Sequence, residues 1–150
     1  FVSKEDAEII ITGRTKHFLS LCGEHLSVDN MNKAIELVSN ELNISVPEFT
    51  VTGIPYQSLF AHKWYVGCDD VVDSKKFADR LDHHLQKLND DYAVERIAAL
   101  GPAQVEIFPS VTFYKYMEMK GKIGGQNKFP RVLRNAQLDE WIAFLSGKHK

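Results

Sequence analysis

Little in this 150-residue chain is present in excess. The two cysteines, Cys22 and Cys68, form neither a metal-binding spacing nor a disulfide framework, so a reduced, cytoplasmic setting is expected. No His-x-x-x-His or Cys-x-x-Cys pattern occurs, and the adjacent His83 and His84 point apart on a helix, so no metal site is expected. No apolar run approaches the roughly 20 residues that cross a bilayer. A formal net charge of −2 creates no global field for nucleic acid or an anionic membrane. The Lys/Arg-Gly-aromatic-x-aromatic run of four-stranded RNA-binding domains is absent as well. No basic start leads into an apolar segment, so no signal peptide is expected.

What is present is the composition of one globular domain. Hydrophobic residues make up 44% and charged residues 25%, enough to build a real core and too apolar for disorder. Two short apolar runs, Glu8–Thr12 and His17–Leu21, flank a glycine-led polar connection and predict an N-terminal β-hairpin. Met31, Ile35, Val38 and Leu42 recur at helical spacing from Ser27 to about Asn43. Ser27 is placed to cap that helix, and Asp29 to complement its dipole. Strands are expected near 47–53, where Gly53 and Pro55 end the run, and near 60–67 and 103–109. Phe77, Leu81, Leu85, Leu88 and Tyr92 predict a second helix from about Ser74 to Asp91, with Asp82 on its solvated side. Short helices follow over 111–119, capped by Ser110, and around Leu138, Trp141, Ile142 and Leu145.

Two long amphipathic helices that each bury one face need a common sheet. The expected fold is therefore α+β: a small sandwich with a central three-stranded sheet, both long helices on one face, the hairpin apart, and short C-terminal helices. His62 alternates with Phe60, Trp64 and Val66 and reads as a partly buried strand histidine. For Cys22 and Cys68 nothing nearby argues for a thiolate, so both are expected to be buried.

One stretch fits neither helix nor strand. From Met119 to Arg131, Gly121, Gly124 and Gly125 are mixed with Lys120, Lys122, Lys128 and Arg131, and Pro130 stands near the end. This is an exposed loop by composition: either a solvated turn or a surface where backbone and ammonium groups meet an anion such as phosphate. It is no P-loop, because none of its three lysines is followed by Ser or Thr.

Within it, Gln126-Asn127-Lys128-Phe129-Pro130-Arg131 resembles the Gln-aromatic-Lys-x-Pro-Arg signature of the plant auxin-responsive (Gretchen Hagen) acyl-acid–amido synthetases and their bacterial relatives. Asn127 stands where the plant enzymes usually carry an aromatic residue, which favours a bacterial-type member. A second likeness is Gly13-Arg14-Thr15-Lys16, similar to the Gly/Asp-Arg-x-Asp/Lys segment that joins the two domains of adenylate-forming enzymes.

The resemblance implies the mobile C-terminal domain of a larger ATP-dependent ligase, inactive alone, whose own N-terminal adenylation domain is its partner. Residues 1–16 would be the end of that N-terminal domain, the hinge and the start of the hairpin, and residues 17–150 the mobile domain. Opening on Phe1 suits a piece of a longer chain. By the same resemblance Lys128 is the catalytic lysine, with Lys122 as runner-up. Gln126, Lys122 and Arg14 are nucleotide contacts, Lys16 is the hinge, and Glu24 and His25 serve the second half-reaction. Pro130 would stiffen the exit of the loop and Arg131 anchor it. The substrates would be ATP, with magnesium in the full-length enzyme, a carboxylic acid and an amino acid. The alternative is a stand-alone α+β module that binds a regulatory small molecule.

Overall fold

A computed structural model describes residues 18–19, 26–119, 129–133 and 135–147. The elements in chain order are β1 (Phe18–Leu19), β2 (Leu26–Ser27), α1 (Val28–Leu42), β3 (Glu48–Tyr56), β4 (Leu59–Gly67), α2 (Ser74–Leu88), α3 (Asp90–Ala98), β5 (Gln104–Phe108), α4 (Ser110–Met119) and α5 (Asn135–Leu145). The fold is the expected α+β sandwich. β3, β4 and β5 form the three-stranded sheet in that order, and β1 pairs antiparallel with β2 in a separate two-stranded sheet. The expected first hairpin strand, 8–12, lies outside the described residues.

β4 is the centre of the sheet, antiparallel to β3 and parallel to β5. Successive residues of a strand face opposite sides, so β4 supplies two cores at once. Trp64 and Val66 join Phe49 and Val51 of β3 beneath Met31, Ala34, Ile35 and Val38 of α1 and Phe77, Leu81 and Leu85 of α2. Tyr65 points the other way, into a cluster with Phe113, Tyr116 and Met117 of α4 and Trp141 of α5. The two long helices share one face as their periodicity predicts, and the C-terminal helices cover the opposite one.

Local signals explain most boundaries. The Ser27 hydroxyl accepts the Asn30 amide at 3.0 Å while the Asn30 side chain accepts the Ser27 amide at 3.3 Å, a reciprocal cap on α1. Asn43 ends that helix in the left-handed region at φ 58°. β3 runs past Gly53 and Pro55 to Tyr56, further than expected. Proline removes a donor, and an edge strand tolerates that loss. The predicted helix over 74–91 is interrupted. Asn89, at φ −140° and ψ 110°, closes α2 and uses its side chain to accept the Tyr92 amide at 2.8 Å, starting α3. α4 begins at Ser110, but the capping side chain comes from elsewhere. Asp69 accepts both the Ser110 amide at 2.9 Å and its hydroxyl at 2.6 Å, and these bonds hold the Asp69 carboxyl below its usual range.

Asp82 is not solvated. It is buried, and it accepts from Tyr92 Oη at 2.5 Å, from Arg96 Nε at 2.9 Å and from Gln86 Nε2 at 2.9 Å. Arg96 Nη1 then reaches the Leu100 carbonyl at 3.1 Å, so one carboxylate ties α2, α3 and the approach to β5 together. Periodicity missed it because Asp82 follows Leu81 at the margin of the apolar stripe, where burial depends on what α3 brings over it. His62 is fully buried, 5.5 Å from the Tyr92 ring. Cys68 is buried, and burial pushes its thiol pKa up; Cys22 lies outside the described residues. Between α1 and α2, Glu41 takes Arg80 at 2.8 Å and His84 at 3.1 Å. The Arg80 hydrogen bond is the main cause that holds the Glu41 carboxyl down at about 2, so the pair keeps its charge in mildly acid solution.

Gly67 sets the contact between sheet and α4. A Cβ there would stand 2.9 Å from the Phe113 ring and 3.3 Å from the Glu48 carbonyl. Gly67→Ala is therefore expected to push α4 off β4 and cost about 1–3 kcal/mol, the usual penalty for overpacking. Urea unfolding measures it, and an unchanged midpoint would contradict this packing.

Candidate functional site

Of the nine residues assigned by resemblance, only Pro130 and Arg131 are among the described residues; the other seven fall outside them. Lys122, Gln126 and Lys128 belong to 120–128, Arg14 and Lys16 to 1–17, and Glu24 and His25 to 20–25. What is described is the frame on either side of them. Leu26, directly after His25, is fully buried in the core under α1.

The frame around 120–128 begins with α4. Phe113, Tyr116 and Met117 fall on one face by helical spacing and are buried. The first residue after the segment, Phe129, is buried among the same rings, with centroids 4.9 Å from Phe113, 5.5 Å from Tyr116 and 5.0 Å from Trp141. Trp141 is the hub, 5.0 Å from Phe113, 5.1 Å from Tyr116 and 5.8 Å from Tyr65. Tilted and edge-to-face pairs of this kind are worth about 0.5–1.5 kcal/mol each beyond burial. Described residues on both sides of 120–128, in α4 before it and Phe129 after it, thus share one aromatic cluster.

A second fastening follows at once. Val51, on the outer edge of β3, donates its amide to the Arg131 carbonyl at 2.8 Å, and its carbonyl accepts the Leu133 amide at 2.9 Å. This makes a one-residue parallel bridge between Val51 and Val132. Thr52 Oγ1 donates to the Leu133 carbonyl at 2.8 Å. The Arg131 guanidinium lies 4.3 Å from the Phe49 ring centroid and donates from Nη1 to Glu48 Oε1 and to the Phe49 carbonyl, each at 3.0 Å. Stacking plus two directed bonds is arginine chemistry that lysine does not reproduce. The expected anchoring by Arg131 has this geometry. Its partners Glu48 and Phe49 were not legible, because they lie some 80 positions earlier in the chain.

The match that decides the family covers most of this frame. Residues 29–137 match the GH3 family C-terminal domain. The chain belongs to that family. Among solved structures it is similar to a GH3.15 acyl acid amido synthetase, with TM-score 0.71 and 18% identity over 90% of this chain and 27% of that one. An AtGH3.15 acyl acid amido synthetase in complex with 2,4-DB follows, with TM-score 0.67 and 17% identity over 87% of this chain and 25% of that one. Identity this low speaks for the fold alone, and the GH3 domain spans about a quarter of either neighbour. No curated protein sequence matches it.

Elsewhere on the GH3 domain, a cleft of about 330 Å³ lies between the first turns of α2, Tyr56 and residues 102–105. Gly101 lets the Tyr56 ring that lines it lie close against the backbone, since a Cβ there would stand 2.5 Å from that ring. Among the described residues no group of three His, Cys, Asp or Glu side chains comes together for a metal, and no helix is long and apolar enough to cross a membrane.

If Phe129 is the bolt of this frame, Phe129→Ala should cost about 3–5 kcal/mol, as for other buried aromatic truncations. The emission of Trp141, its ring neighbour, should shift to the red in the still-folded variant. A cost below about 1 kcal/mol would mean that Phe129 is not seated as described.

Proposed function

We propose that this GH3 domain is the mobile C-terminal part of a cytoplasmic, ATP-dependent acyl-acid–amido synthetase, and that it supplies the lysine that assists adenylation. The observation that supports the reading lies in the flanks of 120–128: Phe113 of α4 before it and Phe129 after it meet in one cluster with Trp141, and residues 131–133 are bonded to β3. A group that stabilises a transition state must be held where charge develops, and a glycine-rich segment needs such ties to hold one.

In the first half-reaction a carboxylate oxygen of the acyl acid attacks the α-phosphorus of ATP and pyrophosphate leaves, giving an acyl-adenylate. In the second, the amine of an amino acid attacks the acyl carbon and AMP leaves, giving the amide. Lys128 stabilises the negative charge that grows on the α-phosphate oxygens in the first step. It is favoured over Lys122 because it directly precedes the buried Phe129 in sequence, whereas Lys122 adjoins no buried described residue. Gln126 and Arg14 contact the nucleotide. Lys16 is the hinge about which the domain turns between the two steps, and Glu24 and His25 face the site in the second. Magnesium would neutralise phosphate charge when bound with ATP; among the described residues no group of three His, Cys, Asp or Glu side chains comes together to hold it. The N-terminal adenylation domain is the partner, and the isolated GH3 domain is inactive.

The alternative, a stand-alone small-molecule module, has its one foothold in the cleft beside Tyr56 and α2. It requires the isolated domain to bind a ligand. Calorimetry with ATP, AMP and amino acids separates the two, because the ligase reading expects no binding without the partner domain.

ATP–pyrophosphate exchange in the full-length enzyme, with the best acid of a panel of aryl and aliphatic carboxylates that includes 2,4-DB, tests the lysine. Lys128→Ala should lower exchange about 10²- to 10³-fold, as for loss of one transition-state donor, and leave KM for ATP nearly unchanged. Lys122→Ala should stay near wild type. The reverse pattern would show that the other lysine does the work, and wild-type exchange in both would leave the loop a solvated turn. For the hinge, Lys16→Pro fixes φ and should lock one orientation. One half-reaction should fail while the other survives, and equal loss of both would count against a hinge there.

A further inference from the structure

The cleft beside Tyr56 carries groups that the fold itself does not use. Its walls come from the first turns of α2, from Tyr56 at the end of β3, and from residues 102–105 at the start of β5. Each wall is fixed by packing behind it. Phe77 and Leu81 seat α2 in the core, Asp82 of α2 accepts the Ala103 amide at 3.4 Å, and the Tyr56 ring lies against Gly101. The cleft is therefore formed before any ligand arrives, as small-molecule sites commonly are. Its volume of about 330 Å³ is near the lower end for such sites, which start at about 300 Å³.

The polar groups that line it are Lys75, Asp79 and Gln104. Lys75 and Asp79 stand four apart on one helix face, yet no ion pair joins them among the described residues. No acidic residue stands in the first turn of α2, and a lysine there meets the positive end of the helix dipole. The charge of Lys75 thus does nothing for its own helix. Gln104 donates from Nε2 to the Pro102 carbonyl at 2.9 Å, which leaves its Oε1 to accept. Around these groups the lining is the Tyr56 ring, Pro102, Val105 and two alanines. The cleft offers one cation, two acceptors and an apolar wall with a ring in it.

We infer that this cleft is a ligand site of the GH3 domain and that it takes an N-acyl amino acid, the class of compound that the proposed reaction releases. The carboxylate meets the Lys75 ammonium, the amide N–H meets Asp79 and Gln104 Oε1, and the acyl group covers the Tyr56 ring, Pro102 and Val105. ATP and AMP suit it poorly, because their phosphates would face Asp79. A free amino acid brings no acyl group to cover the wall. The inference rests on the synthetase reading, which supplies the ligand.

Titration calorimetry of this chain with N-benzoylglycine, against benzoate and glycine alone, is the test. The conjugate should bind at least about tenfold tighter than either half. Lys75→Ala should weaken it about 10- to 100-fold, the range for a hydrogen bond to a charged group, and Lys75→Arg should keep most of the affinity. Lys76→Ala removes the same charge one residue on, outside the lining, and should bind as the wild type does. Asp79→Asn keeps an acceptor for an amide N–H and should stay within about threefold. In NMR spectra the amides of Ala103, Gln104 and Val105 should shift on binding. No binding at about 1 mM would overturn the inference, as would equal weakening by Lys75→Ala and Lys76→Ala, or glycine binding as tightly as the conjugate. Loss of binding in Asp79→Asn would show that a full ammonium is recognised, and would overturn the assignment to an amide. None of these outcomes touches adenylation, which ATP–pyrophosphate exchange in the full-length enzyme reads separately. Wild-type exchange in both Lys122→Ala and Lys128→Ala would instead remove the synthetase reading, and the origin of the ligand with it.

Discussion

The outer edge of β3 offers unpaired backbone groups, and Val51 is where the chain returns to use them. Its amide and carbonyl bind Arg131 and Leu133, which makes residues 131–133 the stub of a fourth strand. Two such bonds are worth only about 1 kcal/mol each net. Their effect comes from what stands beside them. Val132 turns into the core under α1 and α2, while Phe129 and Leu133 turn into the aromatic cluster on the other face. The stub thus joins both cores at the edge of the sheet, and it is followed by α5, which brings Trp141 to the centre of the second core. Without it the C-terminal helices would have a cluster to pack in but no register on the sheet.

The same logic of a strand serving two faces explains how the C-terminal helices are held. A three-stranded sheet covered on one side would leave Tyr65 and its neighbours wet. Here α4 and α5 cover them, and Gly67 lets α4 come close enough for Phe113 to touch the backbone. On the opposite side the buried Asp82 keeps α2, α3 and β5 in one arrangement through Tyr92 and Arg96. A buried carboxylate is costly unless every lone pair is used, and here donors also include the Ala103 amide at 3.4 Å.

Much of this was legible in the residues. The spacing of Met31, Ile35 and Val38, and of Phe77, Leu81 and Leu85, gave two helices and their buried faces, because helical period and burial are the same information. The glycine–lysine segment stood out because its composition rules out regular structure, and its likeness to the GH3 signature led to the family that residues 29–137 match. Other features depend on partners far away in sequence. Asp82 looked solvated because its cover arrives with α3. Pro55 looked like a strand end because nothing in the local pattern says that β3 lies at an edge. Glu48 looked like an ordinary polar residue at the start of a strand until Arg131 was brought beside it.

The stretch at 131–133, after the lysine segment, is part of the sheet and not merely laid against it. Hydrogen exchange at the Leu133 amide tests this most directly, since that group bonds to the Val51 carbonyl. If the stub belongs to the sheet, Leu133 should exchange only with the global opening that exposes the amides of β4, and its protection should come within about tenfold of theirs. Exchange at the rate of an unstructured amide, while β4 stays protected, would contradict the account.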